Sequence, residues 1–286
     1  MNRGVEVITG IEEMRRRAID IRKEGRSIGF VPTMGAFHEG HLSLMRVARE
    51  ENDVVVVSVF VNPTQFGPDE DYERYPRDLE RDKALAEEVG VEIIFAPTPA
   101  DMYPSGYLTY VETERMSKLL CGRFRPHHFR GVTTVVAKLF NIIMPHRAYF
   151  GQKDYQQALI IKRMIEDLNY EIEMRVLPIV RDGDGVALSS RNTYLGKEER
   201  EAARILNLSL RMAEGLLNEG EREARRIINE MKKMINEERL ARIEYISICD
   251  PNTLEEIPRV EEEAFIAMAV RIGETRLIDN LIWRKR

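Results

Sequence analysis

Ser27-Ile28-Gly29-Phe30-Val31-Pro32-Thr33-Met34-Gly35-Ala36-Phe37-His38-Glu39-Gly40-His41 is the stretch from which the rest of the chain can be read. It reads as a short buried strand, a glycine-punctuated turn and a helix that begins near His38. A helix N-terminus attracts anions through its free N–H groups and its dipole. Gly35 and Gly40 let a ligand approach the backbone closely. The imidazoles of His38 and His41 add donors for phosphate oxygens and a proton source for developing charge. The competing readings are a plain surface pair and half of a metal site. The helical zinc-protease pattern spaces its histidines four apart, whereas these are three apart. Cys121 and Cys249 stand far apart in the sequence and complete no thiolate set.

Outward from this stretch, strands and helices alternate. Val5–Ile8 reads as a strand, and Thr9-Gly10-Ile11-Glu12 as a capping box that opens a helix to about Glu24. Val54–Val61 is a nearly continuous apolar run, the pattern of a central parallel strand covered on both faces. A helix over Asp78–Val89, a strand over Glu92–Ala96 and a buried helix over Val132–Met144 come next. Then come a strand at Ala148–Phe150, a helix over Asp154–Asn169 and a strand at Glu171–Val176. The alternation predicts an α/β fold with a Rossmann-like, doubly wound parallel sheet over residues 1–182. The polar break Arg181–Gly185 marks the boundary. Beyond it, two charged amphipathic helices (Lys197–Glu219 and Glu221–Glu238) precede strands at Ile243–Cys249, Ala264–Ile272 and Thr275–Ile282. This predicts a smaller α+β domain over 183–286.

Composition narrows the function. With 286 residues and a net charge of −5, a general electrostatic grip on nucleic acid is not expected. No signal-peptide run and no membrane-spanning apolar stretch are evident, and two isolated cysteines suit a reducing compartment, so a cytoplasmic protein is expected. Charged residues reach 32%, a bias that fits heat adaptation. The few glutamines (Gln65, Gln152, Gln156, Gln157) flank predicted strand ends.

Ligands of open parallel sheets bind beyond the carboxyl ends of the strands. The unusual residues fall there: His38 and His41; Asn62-Pro63-Thr64-Gln65; Gly151-Gln152-Lys153-Asp154; and Ser189-Ser190-Arg191-Asn192. Lys153 and Arg191 can neutralise phosphate, and Ser189 and Ser190 can donate hydroxyl hydrogen bonds. Asp154 and Asp82 are carboxylates of the kind magnesium uses beside nucleotide phosphates. Gln65 and Gln157 suit a small polar substrate. The cationic segment Arg123–Gly131, with Arg125, suits a carboxylate. Arg115-Met116-Ser117-Lys118-Leu119 looks like the Lys-Met-Ser-Lys-Ser loop of tRNA-charging enzymes, but it stands before the last strands. It reads instead as part of an ordinary helix over 113–120.

Six blocks together make the chain resemble the pantoate–β-alanine ligase family, nucleotidyltransferases with a His-x-Gly-His motif. They are Pro32–His41, Phe60–Phe66, Tyr75-Pro76-Arg77, Arg125–Val132, Gly151–Gln157 and Leu188–Asn192. The resemblance implies condensation of pantoate with β-alanine, driven by ATP with Mg2+, through a pantoyl adenylate. It implies an ATP site of Met34, Gly35, Ala36, Phe37, His38, Glu39, Gly40 and His41, completed by Gly151, Gln152, Lys153, Asp154, Val180, Leu188, Ser189, Ser190 and Arg191. His41, His38, Lys153 and Arg191 would carry the chemistry. Gln65 and Gln157 would hold pantoate, with Asn62 and Arg125 as further substrate contacts, and Asp82 and Asp154 would lie near magnesium. A C-terminal lid domain and a homodimer formed through the N-terminal domain are further implications. Gln152 and Phe37 depart from the Glu and Leu common in the family. Other adenylate-forming enzymes and a nucleotide-binding sensor are the alternatives.

Overall fold

The computed structural model describes residues 4–68 and 70–285. Along the chain run β1 (Glu6–Ile8), α1 (Ile11–Lys23), β2 (Ile28–Thr33), α2 (Glu39–Glu51), β3 (Val54–Val59) and α3 (Leu79–Glu88). Next are β4 (Ile93–Phe95), α4 (Pro99–Met102), α5 (Cys121–Phe124), α6 (His128–Ile143), β5 (Arg147–Gly151), α7 (Tyr155–Asp167) and β6 (Glu173–Leu177). The last elements are α8 (Lys197–Asn218), α9 (Ala224–Asn236), β7 (Ala241–Cys249), β8 (Glu263–Ile272) and β9 (Thr275–Arg284). Among the described residues no helix is long and apolar enough to cross a membrane.

Two compact units emerge. The first comprises the chain up to Ser117, Arg125–Gln152 and Gln157–Pro178. The second comprises Lys118–Phe124, Lys153–Gln156 and the chain from Ile179. A single cut at 182 therefore misses two short segments that pack with the C-terminal unit.

The first unit holds a six-stranded parallel sheet in the order β1-β4-β3-β2-β5-β6. The apolar run of β3 explains the layering. Val54 and Val56 point into one core with Met14, Ala18 and Ile21 of α1 and the apolar face of α6. Val55 and Val57 point into the other with Leu42, Met45 and Ala48 of α2 and Ala86 of α3. Alternate residues of one strand thus serve two cores, which is why the run lacks a polar face. Each buried valine removes apolar area worth about 1.5–3 kcal/mol, before entropy is counted.

Two local expectations fail. α1 is capped by Gly10, which has no side chain to accept a bond, and Met14 N donates to the Gly10 carbonyl instead. Thr9 therefore makes no capping box. Residues 113–120 are not an ordinary helix. Arg115 (φ 61°) and Leu120 (φ 44°) adopt left-handed backbone, leaving one 3-10 turn, Met116–Lys118, between them.

The second unit is built on the antiparallel meander β7-β8-β9. One sheet face packs on α8 and α9, where Leu206, Leu210, Ile227 and Met231 meet Ile266, Met268, Val270 and Trp283. The other face is covered by the two short segments that interrupt the first unit. The Tyr155 ring lies 4.6 Å from Phe265, Phe124 stacks on Tyr245, and Arg276 reaches Cys121 Sγ at 3.5 Å.

His146 fastens β5 to β2. Its Nδ1 accepts from Ile28 N at 2.9 Å, and its backbone N–H donates to the Ile28 carbonyl at 2.9 Å. Burial, aided by the Arg22 and Arg147 charges, holds its pKa below the ordinary 6.5. Above that pH the ring is neutral in both states, so the full contribution to stability is present. As pH falls below 6.5, the unfolded chain takes up the proton first and that contribution is lost. Thermal melts from about pH 7.5 to 5 should fall more steeply for the natural chain than for His146→Asn, which keeps an acceptor without titrating. Parallel curves would refute this.

Candidate active site

Thr33 ends β2, and its hydroxyl anchors the loop beyond the strand. Oγ1 donates to the Ser58 carbonyl at 2.6 Å and accepts from Gly35 N at 3.1 Å. The chain then turns through Gly35 (φ 82°) and Ala36 (φ 53°), both left-handed. Asp82 of α3 holds that turn. One oxygen accepts from Ala36 N at 2.8 Å and the other from Phe37 N at 2.7 Å. The carboxyl is fully buried. Burial pushes its pKa up, while the Phe37 and Ala36 N–H bonds pull the other way. Asp82, expected near magnesium, thus serves the loop with both oxygens. A Cβ on Gly35 would stand 2.9 Å from Asp82 Oδ2 and 3.0 Å from Val59 Cγ1, so a larger residue would press on the carboxylate that holds the turn.

His38 is the N-cap of α2 in extended conformation, and its carbonyl accepts from His41 N at 2.8 Å and Leu42 N at 3.1 Å. The spacing of three places both rings on one side of the first helical turn. They stack at 4.1 Å between centroids, and buried Phe37 lies 5.7 Å from the His41 ring. The departure from leucine at Phe37 therefore supplies an aromatic wall for His41. In this sheet β2 has β3 on one side and β5 on the other. The connections after β2 and β4 run in opposite directions, so the topological switch point, where ligands of such sheets bind, lies beyond the carboxyl ends of β2 and β5. The histidine loop leaves one end and Gly151-Gln152 the other. A Cβ on Gly151 would meet nothing within 4 Å, so the backbone there is open.

Gln65 is nearly buried after β3. Its Oε1 accepts from Asn62 Nδ2 at 3.1 Å, and its Nε2 reaches Met34 Sδ at 3.2 Å. Asn62, expected to touch substrate, spends its amide inside the protein. It donates also to the Gly131 carbonyl and accepts from Tyr103 OH at 2.9 Å and from Thr64. Burial pushes the Tyr103 phenol up to about 12, so this donor keeps its proton. Arg125 is likewise engaged. It pairs with both oxygens of Glu70 and donates to the Gln65 carbonyl at 3.3 Å. Burial works to raise the Glu70 carboxyl, but the Arg125 bonds and charge hold it below the usual range. Asn62 and Arg125 are therefore supports behind Gln65. Gly131 completes the support, because a Cβ there would fall 2.4 Å from the Thr64 carbonyl oxygen. Gln157 sits half-buried in the first turn of α7.

Lys153, Asp154, Val180 and Leu188–Arg191 belong to the second unit, whereas Glu39 and Gly40 open α2 in the first. Lys153 pairs with Asp154 at 3.3 Å. Val180 and Leu188 close a hairpin through Leu188 N to the Val180 carbonyl at 3.0 Å. Ser189 caps a 3-10 turn over Ser190–Tyr194, its Oγ accepting from Arg191 N at 3.3 Å. Arg200 braces the hairpin through Asp182 and Asp184 at 2.6–2.8 Å. Among the described residues no group of three His, Cys, Asp or Glu side chains is arranged to hold a metal ion. Of the two carboxylates expected near magnesium, Asp82 bonds the Ala36 and Phe37 amides and Asp154 pairs with Lys153.

Glu70 goes unremarked in the sequence, and Ser58 and Gly131 read there only as parts of longer segments, without their supporting roles. A serine inside the Val54–Val61 run and a glycine inside an apolar helix were the available signals.

Asp82→Asn keeps the shape but turns an amide nitrogen toward one loop N–H. Leaving that donor unmet should cost about 1–3 kcal/mol and speed hydrogen exchange at Ala36 or Phe37. Gly35→Ala should cost about 1–3 kcal/mol through its φ alone. Unchanged denaturation midpoints for both would remove the anchoring role.

Comparison with known proteins finds relatives that match nearly the whole chain. The family model described as pantoate-beta-alanine ligase matches residues 6–282. A pantothenate synthetase of Thermotoga petrophila is 55% identical over 97% of this chain and 99% of its own. One of Moorella thermoacetica is 54% identical over 97% and 98%. The crystal structure of a Thermus thermophilus pantothenate synthetase superposes with a TM-score of 0.92 at 44% identity, covering 97% of this chain and 99% of that one. A Francisella tularensis pantoate-beta-alanine ligase, crystallised with beta-gamma ATP and beta-alanine, matches at a TM-score of 0.81 and 35% identity over 98% of each chain. With a family model spanning nearly its whole length and relatives above half identity, this chain belongs to the pantoate–β-alanine ligase family.

Proposed function

We propose that the chain condenses pantoate with β-alanine to give pantothenate, AMP and pyrophosphate. In the first step a pantoate carboxylate oxygen attacks the α-phosphorus of ATP. The α–β phosphoanhydride breaks, pyrophosphate leaves and pantoyl adenylate forms. In the second step the β-alanine amine attacks the acyl carbon, the acyl–phosphate bond breaks, AMP leaves and the amine sheds a proton. Neither step needs a covalent enzyme intermediate. Both need charge neutralisation and alignment.

The observation that carries this reading is the stacked His38–His41 pair at the N-terminus of α2, on a loop held by Asp82. Family membership supplies the substrates. Met34–His41 would receive the nucleotide, with His38 and His41 donating to phosphate oxygens. Gly151–Asp154, Val180 and Leu188–Arg191 would complete its site, with Lys153 and Arg191 offsetting the charge gathered on the departing pyrophosphate. Magnesium would arrive on the phosphates with Asp154 as its protein carboxylate, and when bound it would neutralise phosphate charge. Gln152, neutral where acidic residues are common, leaves that site one negative charge poorer. Gln65 and Gln157 would take pantoate, and Gln65 would also border β-alanine. We also propose a cytoplasmic homodimer, the dimer formed through the N-terminal domain.

Pyrophosphate release from ATP should require pantoate and proceed without β-alanine for one turnover. Release independent of pantoate would point to a different nucleotidyltransferase. His41→Ala should lower kcat/KM by about 3–4 kcal/mol of transition-state stabilisation. Lys153→Ala and Arg191→Ala should cripple the same step, while Lys118→Ala leaves it largely intact.

Gln65→Ala or Gln157→Ala should raise the pantoate KM and leave ATP affinity almost unchanged. Pantoate should also be favoured over an analogue lacking its 2-hydroxyl, since each stranded amide donor costs about 1–3 kcal/mol. Collapse of ATP affinity in calorimetry would move both residues to the nucleotide site.

A further inference from the structure

The β9 strand carries adjacent polar residues, Asp279 and Asn280, both nearly buried. Successive strand residues face opposite sides of a sheet. Asp279 opposes Met268, on the face that packs the helices, and Asn280 opposes Ala267, on the face covered by the short segments. Each holds a different part of the second unit. Asp279 receives a two-pronged bond from the Arg181 guanidinium, Nη1 at 2.7 Å and Nη2 at 2.9 Å. Arg181 also donates to the Gly185 carbonyl at 3.2 Å, so this fork fixes the hairpin that leads to Leu188–Arg191. Asn280 Nδ2 donates to the Lys153 carbonyl at 2.9 Å. The two grips are joined, because Asn280 N donates to Asp279 Oδ1 at 2.8 Å.

We propose that Asn280 is a positioning residue for the adenylation step, holding the Lys153 backbone in register with the Arg181–Arg191 hairpin through Asp279. The inference rests on the assignment of Lys153 and Arg191 to ATP made above. Lys153 begins the segment 153–156, where Tyr155 OH donates to the Pro251 carbonyl at 3.1 Å and the Gln156 amide engages Leu119 and Cys121. Those bonds hold the far end of the segment, and Asn280 holds the end that bears the cation. A lysine reaches a phosphate through four flexible methylenes. Its stem can be aimed only if its backbone is fixed, and the amide of Asn280 fixes it from a neighbouring strand.

Asn280→Ala should lower kcat/KM for ATP in pantoate-dependent pyrophosphate release by roughly 10- to 100-fold, the scale of a small misplacement. The pantoate KM should stay within about twofold, since Gln65 and Gln157 are untouched. The isosteric Asn280→Asp, which puts an acceptor against the Lys153 carbonyl, should show the same loss if the alanine variant folds poorly. Thr275→Ala, a similarly buried change at the start of β9, should cost stability without this loss. The deciding measurement is a double-mutant cycle with Lys153→Ala, read as ATP affinity by calorimetry. Asn280→Ala should weaken ATP in the natural background and change it less than about twofold once Lys153 is gone. Equal effects in both backgrounds, or losses matched by Thr275→Ala, would overturn the positioning role and leave the proposed function standing. Absence of pantoate-dependent pyrophosphate release in the unmodified protein would overturn that function, and this inference with it.

Discussion

The carboxylate of Asp82 is the constraint on which the first unit's site depends. It accepts from two successive backbone amides in a turn where a non-glycine residue, Ala36, sits in left-handed conformation. That conformation costs of the order of 1–2 kcal/mol for a residue with a Cβ. Two bonds to an ionisable oxygen pair offset it. The first turn of α2 is thereby pointed, because Phe37 and His38 come directly after it. Thr33 and Ser58 fix the loop where it leaves β2. The histidines therefore project from a turn whose backbone is held at both ends. A donor that is already aimed need not be ordered when charge develops.

The second unit solves a similar problem with a sheet instead of a carboxylate. A three-stranded sheet has two faces, and only one packs on helices. The second face would be an exposed apolar surface were it not covered by segments 118–124 and 153–156, among whose contacts are Tyr155 on Phe265 and Phe124 on Tyr245. Covering that face is a packing requirement. Its consequence is that Lys153 is built into the same unit as Ser189–Arg191, although it directly follows Gln152 of the first unit. The boundary between units runs through one short motif, between consecutive residues.

Most of the fold was legible because its signals are periodic. The apolar run at 54–61 and the strand–helix alternation specify a doubly wound sheet before any contact is known, and the change of pattern after Arg181 specifies a second architecture. The failures have physical reasons. Thr9 is a good cap in isolation, but the chain turns one residue later. The left-handed φ values of Arg115 and Leu120 are tertiary effects that no propensity anticipates. His38, His41, Gln65 and Lys153 stood out in the sequence because they gather in the loops after predicted strands, where ligands of open parallel sheets bind. Asp82, Glu70 and Asn280 were not legible in their supporting roles. An aspartate on a helix, a glutamate in a loop and an asparagine in a strand are commonplace, and only a partner distant in sequence gives each its meaning.

This asymmetry follows from how a site is built. Groups that meet a ligand must offer unusual chemistry, so the sequence advertises them. Groups that hold those groups need only one well-placed donor or acceptor, and any of several residue types offers one. Arg125 shows how the distinction misleads. Its cationic segment reads as a carboxylate binder, yet the carboxylate it binds is Glu70 and the carbonyl it braces is that of Gln65. The pairing is nearly buried on the arginine side, so breaking it would strand a charge in a poorly solvated place. In this structure the guanidinium is engaged by Glu70 and the Gln65 carbonyl. The side-chain amide of Gln65, whose backbone it braces, is neutral, so its hydrogen bonds can be exchanged without stranding a charge.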